Sequence, residues 1–139
     1  MPLLEKQLVV KRSKIPGAGK GLFTKQFIAK GTRIVQYKGN VTTWKAVQQQ
    51  KDFNGYVYYI KRDLVVDAKN YKKTFGRYAN DAKGISKLKT VTNNSSYVID
   101  GKKVFIEAVK DINAGEEILV SYGKEYWDVV RHNMKLSEQ

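Results

Sequence analysis

The stretch INAGEEILVSYGKEYW, residues 112–127, holds a turn, an apolar run and an aromatic ending. Its turn signal NAGE precedes an alternating run at 116–122, which predicts a strand. Tyr122 ends that strand directly before a glycine, an arrangement that allows its ring to point into a cavity. On the bare pattern, a tyrosine at a strand end is more often a packing residue.

Short runs of β-branched and aromatic residues predict further strands upstream. These runs lie at residues 7–13, 31–39, 55–63, 64–68, 95–100 and 103–109. Turn signals such as Asn93-Asn94 separate them, and Asp100-Gly101 predicts a hairpin between the last two runs. Helical pattern is confined to 42–53, which opens with threonines able to cap a helix, and to 125–136. The pattern therefore predicts a mostly β fold of short strands and small sheets with a few short helices.

Length and composition narrow the classes of protein that this chain can be. With 139 residues, 15.9 kDa and 42% hydrophobic residues, it has the size and apolar content of one modest domain. It has no cysteine and one histidine, His132. Disulfide frameworks, cysteine zinc centres and thiol nucleophiles are excluded, and hydrolase triads and zinc hydrolase sites are disfavoured. No metal site is expected.

The sequence shows no targeting signal. It contains neither a signal-peptide pattern nor an apolar run of about 18–20 residues. We therefore expect a soluble, intracellular protein without a membrane partner. A nucleus, of the source organism or of an infected host, is compatible with this expectation.

The charge is uneven along the chain, although its total is +13. Residues 1–51 carry eleven basic residues against one acid, a net +10, and residues 72–103 carry eight against two, a net +6. Residues 104–139 carry seven acids against four basic residues, a net −3. The excess is either an ordinary solvated surface or a basic face for a polyanion, beside a separate acidic patch.

Two further segments have patterns that binding sites use. IPGAGKGLF, residues 15–23, has three glycines in five positions, which lets backbone amides approach a ligand closely. Leu22-Phe23 lead into a strand, so the helix N-terminus that a dinucleotide-binding fold needs is missing. Asn80-Asp81, between an aromatic stretch and a lysine-rich one, is by itself an Asx-type turn.

In their order and spacing these segments resemble the SET-domain protein lysine methyltransferases over roughly residues 8–127. The matching motifs, in chain order, are Gly19-Lys20-Gly21-Leu22-Phe23, Lys30-Gly31, Tyr37-Lys38-Gly39, Tyr56-Val57-Tyr58-Tyr59-Ile60, Val66-Asp67-Ala68, Arg77-Tyr78-Ala79-Asn80-Asp81-Ala82 and Gly115-Glu116-Glu117-Ile118 through Ser121-Tyr122-Gly123. The ending SYGKEYW is most similar to small stand-alone viral and bacterial SET proteins. The resemblance implies a β-clip-like SET fold, with residues 1–139 forming a single SET domain.

The resemblance implies S-adenosylmethionine as the cofactor. In the family a glycine turn holds it through backbone atoms, and an Asn-His pair contacts its adenine and methionine parts. The positions that this assigns to cofactor binding are Ala18, Gly19, Lys20, Gly21, Arg77, Asn80 and Asp81. Asp81 replaces the usual histidine, so a backbone contact there would be kept, whereas a contact through the imidazole would be lost.

The resemblance also implies the residues around a substrate lysine. Tyr122 and Tyr97 are the catalytic candidates, Tyr122 to orient the amine and Tyr97 to hydrogen-bond its nitrogen. Val120 stands where many relatives carry the Phe or Tyr that governs how many methyl groups are added. The predicted channel residues are Tyr56, Tyr58, Val120, Tyr126 and Trp127. The last two would close the channel in place of the cysteine-rich modules of many relatives.

The composition fits this chemistry. Methyl transfer from a sulfonium needs a neutral amine, whereas free lysine has a pKa of about 10.4. A narrow aromatic channel lowers that pKa by desolvating the ammonium, and the sulfonium charge opposes it further. Positioning then supplies much of the rate, so aromatics and hydroxyls are needed rather than acid–base pairs or metals. Nine tyrosines meet that need.

The leading hypothesis is therefore a protein-lysine N-methyltransferase that acts on a histone or histone-like tail, with DNA or nucleosome contact through the basic surface. A second is a catalytically silent SET-like module that binds nucleic acid or chromatin. A third hypothesis is the same methyl transfer to another lysine-bearing protein, such as a ribosomal protein. The apolar stripe at 125–136 either packs on the domain's own core, which is favoured, or forms a homodimer.

Overall fold

The computed structural model describes residues 3–15, 17–49, 56–61, 64–71, 73–82 and 92–122. Within these ranges, nine strands form three antiparallel sheets of three strands each. The strands are β1 (Leu8–Arg12), β2 (Lys20–Thr24), β3 (Arg33–Gln36), β4 (Asn40–Thr42), β5 (Val57–Lys61), β6 (Leu64–Asp67), β7 (Ser95–Asp100), β8 (Lys103–Ala108) and β9 (Glu117–Ile118). The described helices are α1 (Trp44–Gln48) and two 3-10 helices at Glu5–Gln7 and Gly76–Tyr78. The predicted mostly β fold is confirmed.

The first sheet has the order β1-β2-β9 and carries the glycine turn between its first two strands. Strand β2 begins in the glycine-rich run, as predicted, and pairs with β1 so that Phe23 lies opposite Val9. Its other edge pairs with β9, where Leu22 lies opposite Ile118. Leu22, Phe23 and Ile118 are all buried, so hydrophobic packing fixes the strand that follows the turn.

The second sheet has the order β3-β8-β7, and its hairpin is the one that Asp100-Gly101 predicts. Asp100 pairs with Lys103, and Gly101 has a φ of 63°, a backbone conformation that favours glycine. Strand β8 alternates buried with more exposed residues, as expected of a strand with one face on the core.

The third sheet has the order β4-β6-β5, with β6 in the middle. Leu64, Val65 and Val66 of β6 are consecutive buried residues, which is typical of a strand paired on both edges. Strand β4 was not predicted, because three residues are too few to show an alternating pattern. Helix α1 is shorter than the predicted 42–53, and residues 50–55 lie outside the described part of the chain.

A cap from the predicted threonine pair begins α1. The side-chain oxygen of Thr43 accepts a hydrogen bond from Ala46 N at 3.2 Å. This bond satisfies one of the backbone donors that a helix start leaves unpaired.

Two hydrophobic clusters hold the sheets together. The larger lies between the first and second sheets and includes Leu8, Leu22, Ile28, Ile34, Val35, Ile106, Ile112, Ile118 and Val120. The smaller joins the second and third sheets through Tyr37, Val66, Ala68 and Val104, with the partly buried Tyr56, Tyr58, Ile60 and Tyr97 packed against it. Several tyrosines assigned from sequence therefore lie at the junction of two sheets.

The chain after β9 continues as extended backbone between two other segments. Leu119 forms a parallel bridge with Asn80, and Val120 forms one with Ser95. Val120 N donates to Asn80 O at 2.8 Å, while the N–H groups of Asn94 and Ser95 donate to Leu119 O at 3.0 Å. Of the predicted strand 116–122, only Glu117–Ile118 belongs to a sheet, because the two flanking segments take up the rest of the backbone pairing.

Asn94 holds this passage with its side chain, although the Asn93-Asn94 pattern indicated only a turn. Asn94 is buried, and its Nδ2 donates to Glu117 O at 2.9 Å. Its Oδ1 accepts from Leu119 N at 2.9 Å and from Ser95 Oγ at 3.1 Å. The amide thus satisfies both a donor and an acceptor of the backbone of residues 117–119.

The predicted C-terminal helix at 125–136, with Tyr126 and Trp127, lies outside the described residues. The two packings predicted for that segment, on its own core or in a homodimer, therefore stay predictions. In the part of the chain that the structure describes, no helix is long and apolar enough to cross a membrane.

Replacing Asn94 with alanine should lower the free energy of unfolding by about 2–4 kcal/mol, because Leu119 N–H and Glu117 C=O are both left buried without a partner. Urea denaturation of the wild type and the variant measures this difference. Asn113→Ala is the matched control, since its amide makes an exposed contact with Glu116 at 3.1 Å and its loss should cost less than about 0.5 kcal/mol. Equal losses in the two variants would contradict the role of Asn94.

Candidate active site

Four tyrosine rings, called here the aromatic cluster, meet where the second and third sheets join. Tyr58 and Tyr97 are closest, with ring centroids 4.7 Å apart. Tyr37, which follows β3, meets Tyr97 edge-on at 5.8 Å, and Tyr122 lies nearly parallel to Tyr97 at 6.5 Å. The structure thus brings together three tyrosines that sequence assigned to the site: Tyr58, Tyr97 and Tyr122.

Tyr122 is fixed at both ends by the 79–82 segment. Its hydroxyl donates a hydrogen bond to Ala79 O, and its backbone N–H donates to Asp81 Oδ2 at 2.9 Å. The ring is partly buried and packs against the main core cluster. Its orientation is therefore set by the protein rather than by solvent, and its catalytic role stays a prediction.

The carboxylate of Asp81 accepts hydrogen bonds from two donors among the described residues. It is buried, and besides Tyr122 N–H it accepts from Asn93 Nδ2 at 2.9 Å through Oδ1. Asn93 Oδ1 in turn accepts from Ala82 N at 2.8 Å. A carboxylate offers two acceptor oxygens, whereas a neutral imidazole offers one acceptor nitrogen. An acid in place of the expected histidine therefore serves the local hydrogen bonding, and its contact with a cofactor stays a prediction.

The glycine turn borders a cavity of about 460 Å³. Its lining residues are Arg12, Ser13, Lys14, Ile15, Gly17 and Gly19. Gly17 and Gly19 have φ angles of 79° and 72°, and a Cβ added at either would meet no atom within 4 Å. Open space therefore lies beside both, and the cavity has the size of a small-molecule site.

The other residues of the predicted cofactor turn differ in their surroundings. Ala18 packs partly buried against the cluster of Ile15, Ala82 and Leu119, and Lys20 is exposed. Gly21 is buried, and a Cβ there would lie 2.3 Å from Glu117 Oε2. The missing side chain of Gly21 thus makes room for Glu117, and a cofactor contact by its backbone stays a prediction.

Asn80 contacts both the end of the glycine turn and the segment that leads to Tyr122. Its Nδ2 donates to Lys20 O at 3.0 Å, next to the glycine turn. Its own carbonyl accepts from Val120 N at 2.8 Å. Because both neighbours, Ala79 and Asp81, bond to Tyr122, one short segment sets the position of the turn relative to that tyrosine.

Arg77 and Tyr56 form a stacked pair. The guanidinium carbon lies 3.8 Å from the Tyr56 ring centroid, and Arg77 Nη1 donates to the carbonyls of Ala68 and Lys69 at 3.0 and 2.7 Å. Its Nε is buried and has no hydrogen-bond partner within the described ranges. The pair ties the 3-10 helix at Gly76–Tyr78 to the third sheet. The predicted cofactor role of Arg77 and channel role of Tyr56 stay predictions.

Two more residues concern the predicted channel, and the sequence had assigned only Val120 to it. Val120 is fully buried in the main cluster against which Tyr97 and Tyr122 pack, and its channel role stays a prediction. Tyr37 was not assigned to the site, yet its hydroxyl donates to Tyr56 O at 2.6 Å and its ring contacts Tyr58 and Tyr97. In the sequence, the motif Tyr37-Lys38-Gly39 was the feature that could have pointed to this residue.

Comparison with known families accounts for this arrangement. The family model described as the SET domain matches residues 19–123, which include Gly19, Asn80 and Tyr122. The chain belongs to the SET-domain family. The resemblance inferred from the motifs is thereby confirmed.

This SET domain has curated relatives named as lysine methyltransferases. It is 30% identical over 112 residues to "Histone-lysine N-methyltransferase set1" of Dictyostelium discoideum, covering 73% of this chain and 7% of that protein. It is 31% identical over 120 residues to "N-lysine methyltransferase KMT5A-A" of Danio rerio, covering 78% and 33%. With "Histone-lysine N-methyltransferase set-17" of Caenorhabditis elegans it shares 28% over 123 residues, covering 84% and 41%. The chain therefore spans less than half the length of each.

A solved structure shares the fold of this SET domain. The methyltransferase domain of human PR domain-containing protein 2 superposes with a TM-score of 0.61 at 21% identity, covering 88% of this chain and 79% of that one. At this identity the likeness shows the fold alone. The predicted closeness to viral and bacterial SET proteins stays a prediction.

Burial raises the pKa of the Tyr58 phenol above its ordinary value of about 10. The folded SET domain then keeps this proton where the unfolded chain releases it, so the contribution to stability is present below about pH 10 and is lost as the pH rises above it. A phenolate absorbance titration should show a late component that shrinks in Tyr58→Phe. Tyr59→Phe, on the exposed neighbouring residue, is the control that keeps it. An unchanged late component in Tyr58→Phe would contradict the effect of burial.

Proposed function

We propose that this SET domain is an S-adenosylmethionine-dependent protein-lysine N-methyltransferase. The observation that carries the proposal is the 79–82 segment, which bonds to the glycine turn through Asn80 and to Tyr122 through Ala79 and Asp81. A cavity suited to a small molecule and an aromatic cluster suited to a lysine side chain are thereby linked. The names of the curated relatives support the same activity.

The chemistry of the cavity fits S-adenosylmethionine. Arg12 and Lys14 can pair with its carboxylate, and the open space beside Gly17 and Gly19 allows backbone atoms to approach it. The residues that we propose to hold it are those of the turn at 18–21 together with Arg77, Asn80 and Asp81. When bound, this cofactor supplies a methyl group activated by a sulfonium.

The aromatic cluster favours the neutral form of the lysine amine and orients its nitrogen. The raised pKa of Tyr58 reflects an environment that disfavours charge, and the same desolvation favours the neutral form of a lysine. Because the Tyr122 hydroxyl donates its proton to Ala79 O, its oxygen acts toward an amine N–H as an acceptor. Tyr122 and Tyr97 would orient the nitrogen, and Tyr56, Tyr58 and Val120 would line the approach. Positioning then supplies much of the rate.

We propose a histone or histone-like tail, presented in chromatin within a nucleus, as the substrate. Four exposed cations on and beside the β1–β2 hairpin favour a nearby polyanion: Lys11, Arg12, Lys14 and Lys20. Arg12 lies directly opposite Lys20 in the ladder, a like-charge pair that costs stability. Within the described part of the chain, none of the four forms an ion pair. Because Arg12 and Lys14 are assigned to the cofactor carboxylate, nucleosomal DNA would neutralise the other two, Lys11 and Lys20.

Tyr122→Phe should reduce methyl transfer to mixed histones by on the order of 100-fold, because a hydrogen-bonding group at the reacting amine is removed while the ring stays. Transfer of label from S-adenosylmethionine measures the rate, and titration calorimetry checks that the variant still binds the cofactor. Tyr59→Phe is the matched control, since that ring lies exposed against Trp44 with centroids 5.5 Å apart. Equal loss in both variants would exclude a specific role of Tyr122.

Nucleosomes should be methylated faster than a free histone-tail peptide, and this advantage should shrink as salt rises. Two phosphate contacts predict a loss of affinity of roughly tenfold between about 50 and 200 mM salt. Rates on both substrates across this range test the point. Equal rates that do not respond to salt would remove DNA from the proposal.

The like-charge pair of Arg12 and Lys20 also favours a second candidate, a catalytically silent SET module that binds nucleic acid or chromatin. Both candidates predict salt-dependent binding to nucleosomes, but only the methyltransferase predicts cofactor binding and transfer of label. If the protein binds nucleosomes but neither binds the cofactor nor transfers label, it is the silent module.

A further inference from the structure

Glu117 is a buried carboxylate at the base of the glycine turn. It is the first residue of β9 and is 7% exposed. Its Oε2 accepts from Ser13 Oγ at 2.7 Å and from Asn80 Nδ2 at 3.3 Å, and its Oε1 accepts from Lys14 N at 3.1 Å. Three donors from two separate segments therefore meet on one side chain.

The protein makes room for this carboxylate. Glu117 lies opposite Phe23 in the ladder, so it occupies the same face of the sheet as Gly21. A Cβ at Gly21 would lie 2.3 Å from Glu117 Oε2, so any side chain there would displace the carboxylate. In the described part of the chain no cation lies within 4.0 Å of Glu117, and the donors named above are neutral groups that solvate its charge.

The three residues that donate to Glu117 lie at the glycine turn or bond to it. Ser13 Oγ also accepts from Ile15 N at 3.1 Å, and Ser13 N donates to Gly19 O at 2.8 Å, so the two ends of the turn meet at Ser13. Ser13 and Lys14 line the cavity. Asn80, the third donor, bonds to Lys20 O at the far end of the turn.

We propose that Glu117 is the positioning residue of the cofactor site, because it fixes the glycine turn and Asn80 relative to each other. Its effect on the cofactor is indirect, and the inference rests on the proposed binding of S-adenosylmethionine. All three contacts need an acceptor. A glutamine amide keeps one acceptor oxygen and turns an NH₂ group toward the remaining donors, so Glu117→Gln breaks the arrangement with almost no change in shape.

Titration calorimetry with S-adenosylhomocysteine, on the full chain of the wild type and Glu117→Gln, tests the proposal. Loss of one charge-assisted contact predicts binding weaker by about tenfold. With S-adenosylmethionine as substrate, KM for the cofactor should rise by a similar factor, while kcat falls less and KM for a histone peptide stays the same. Hydrogen exchange at the Lys14 amide should accelerate, because its acceptor is lost.

Glu116→Gln is the matched control. It removes the same charge from the adjacent, exposed residue, whose carboxylate bonds to Asn113 rather than to the turn. It should leave cofactor affinity and Lys14 exchange unchanged. Ser13→Ala is a second test that adds no polar group to the interior. It should weaken binding in the same direction, and by less in the Glu117→Gln background than in the wild type.

The outcomes separate the two proposals. If the wild type binds neither S-adenosylmethionine nor S-adenosylhomocysteine, the proposed function fails and Glu117 has no cofactor to position. If the wild type binds and both Glu117→Gln and Ser13→Ala bind equally well, the positioning role is overturned while the proposed function stands. A lower melting temperature with unchanged affinity in the folded variant would likewise reduce Glu117 to a stabilising residue.

Discussion

Residues 117–122 lie between the 79–82 segment and the start of β7, and the two neighbours use opposite edges of the same backbone. Backbone groups in so enclosed a position must find partners, since each one left unpaired carries a desolvation penalty. Main-chain bonds supply some of these partners. Side chains supply others, as Asn94 does for Leu119 N–H and Asp81 does for Tyr122 N–H. The polar residues buried around this segment are therefore those that can hydrogen-bond to its backbone.

The candidate site is built along that segment. Glu117 at its beginning bonds to the base of the glycine turn, Val120 in its middle bonds to Asn80, and Tyr122 at its end joins the aromatic cluster. The glycine turn, Asn80 and Tyr122 are thus all bonded to or part of this one segment. Because the segment is packed in the main core, the site and the fold are stabilised by the same contacts.

The described interior holds buried carboxylates, whereas the surface of the first sheet holds exposed cations. Asp81 and Glu117 are buried among backbone and side-chain amides and a hydroxyl, which solvate their carboxylates. The exterior of the first sheet carries lysines and arginines that remain exposed, with Arg12 opposite Lys20. The chain has no cysteine. Its loops are held by hydrogen bonds and aromatic packing, whereas other small proteins use disulfides or cysteine metal centres.

The sequence by itself determined the local structure and the family. Alternation over 103–108 and the Asp100-Gly101 turn depend on neighbouring residues only, so the hairpin was predicted correctly, and the spacing of the motifs predicted the SET domain. Only the tertiary structure decided the contacts of Asn94, Glu117 and Tyr37. Each acts through partners distant in the chain, as Glu117 does with Ser13. Pattern within a segment reports periodicity and turns, whereas the meeting of a donor with an acceptor a hundred residues away is fixed by how the sheets pack.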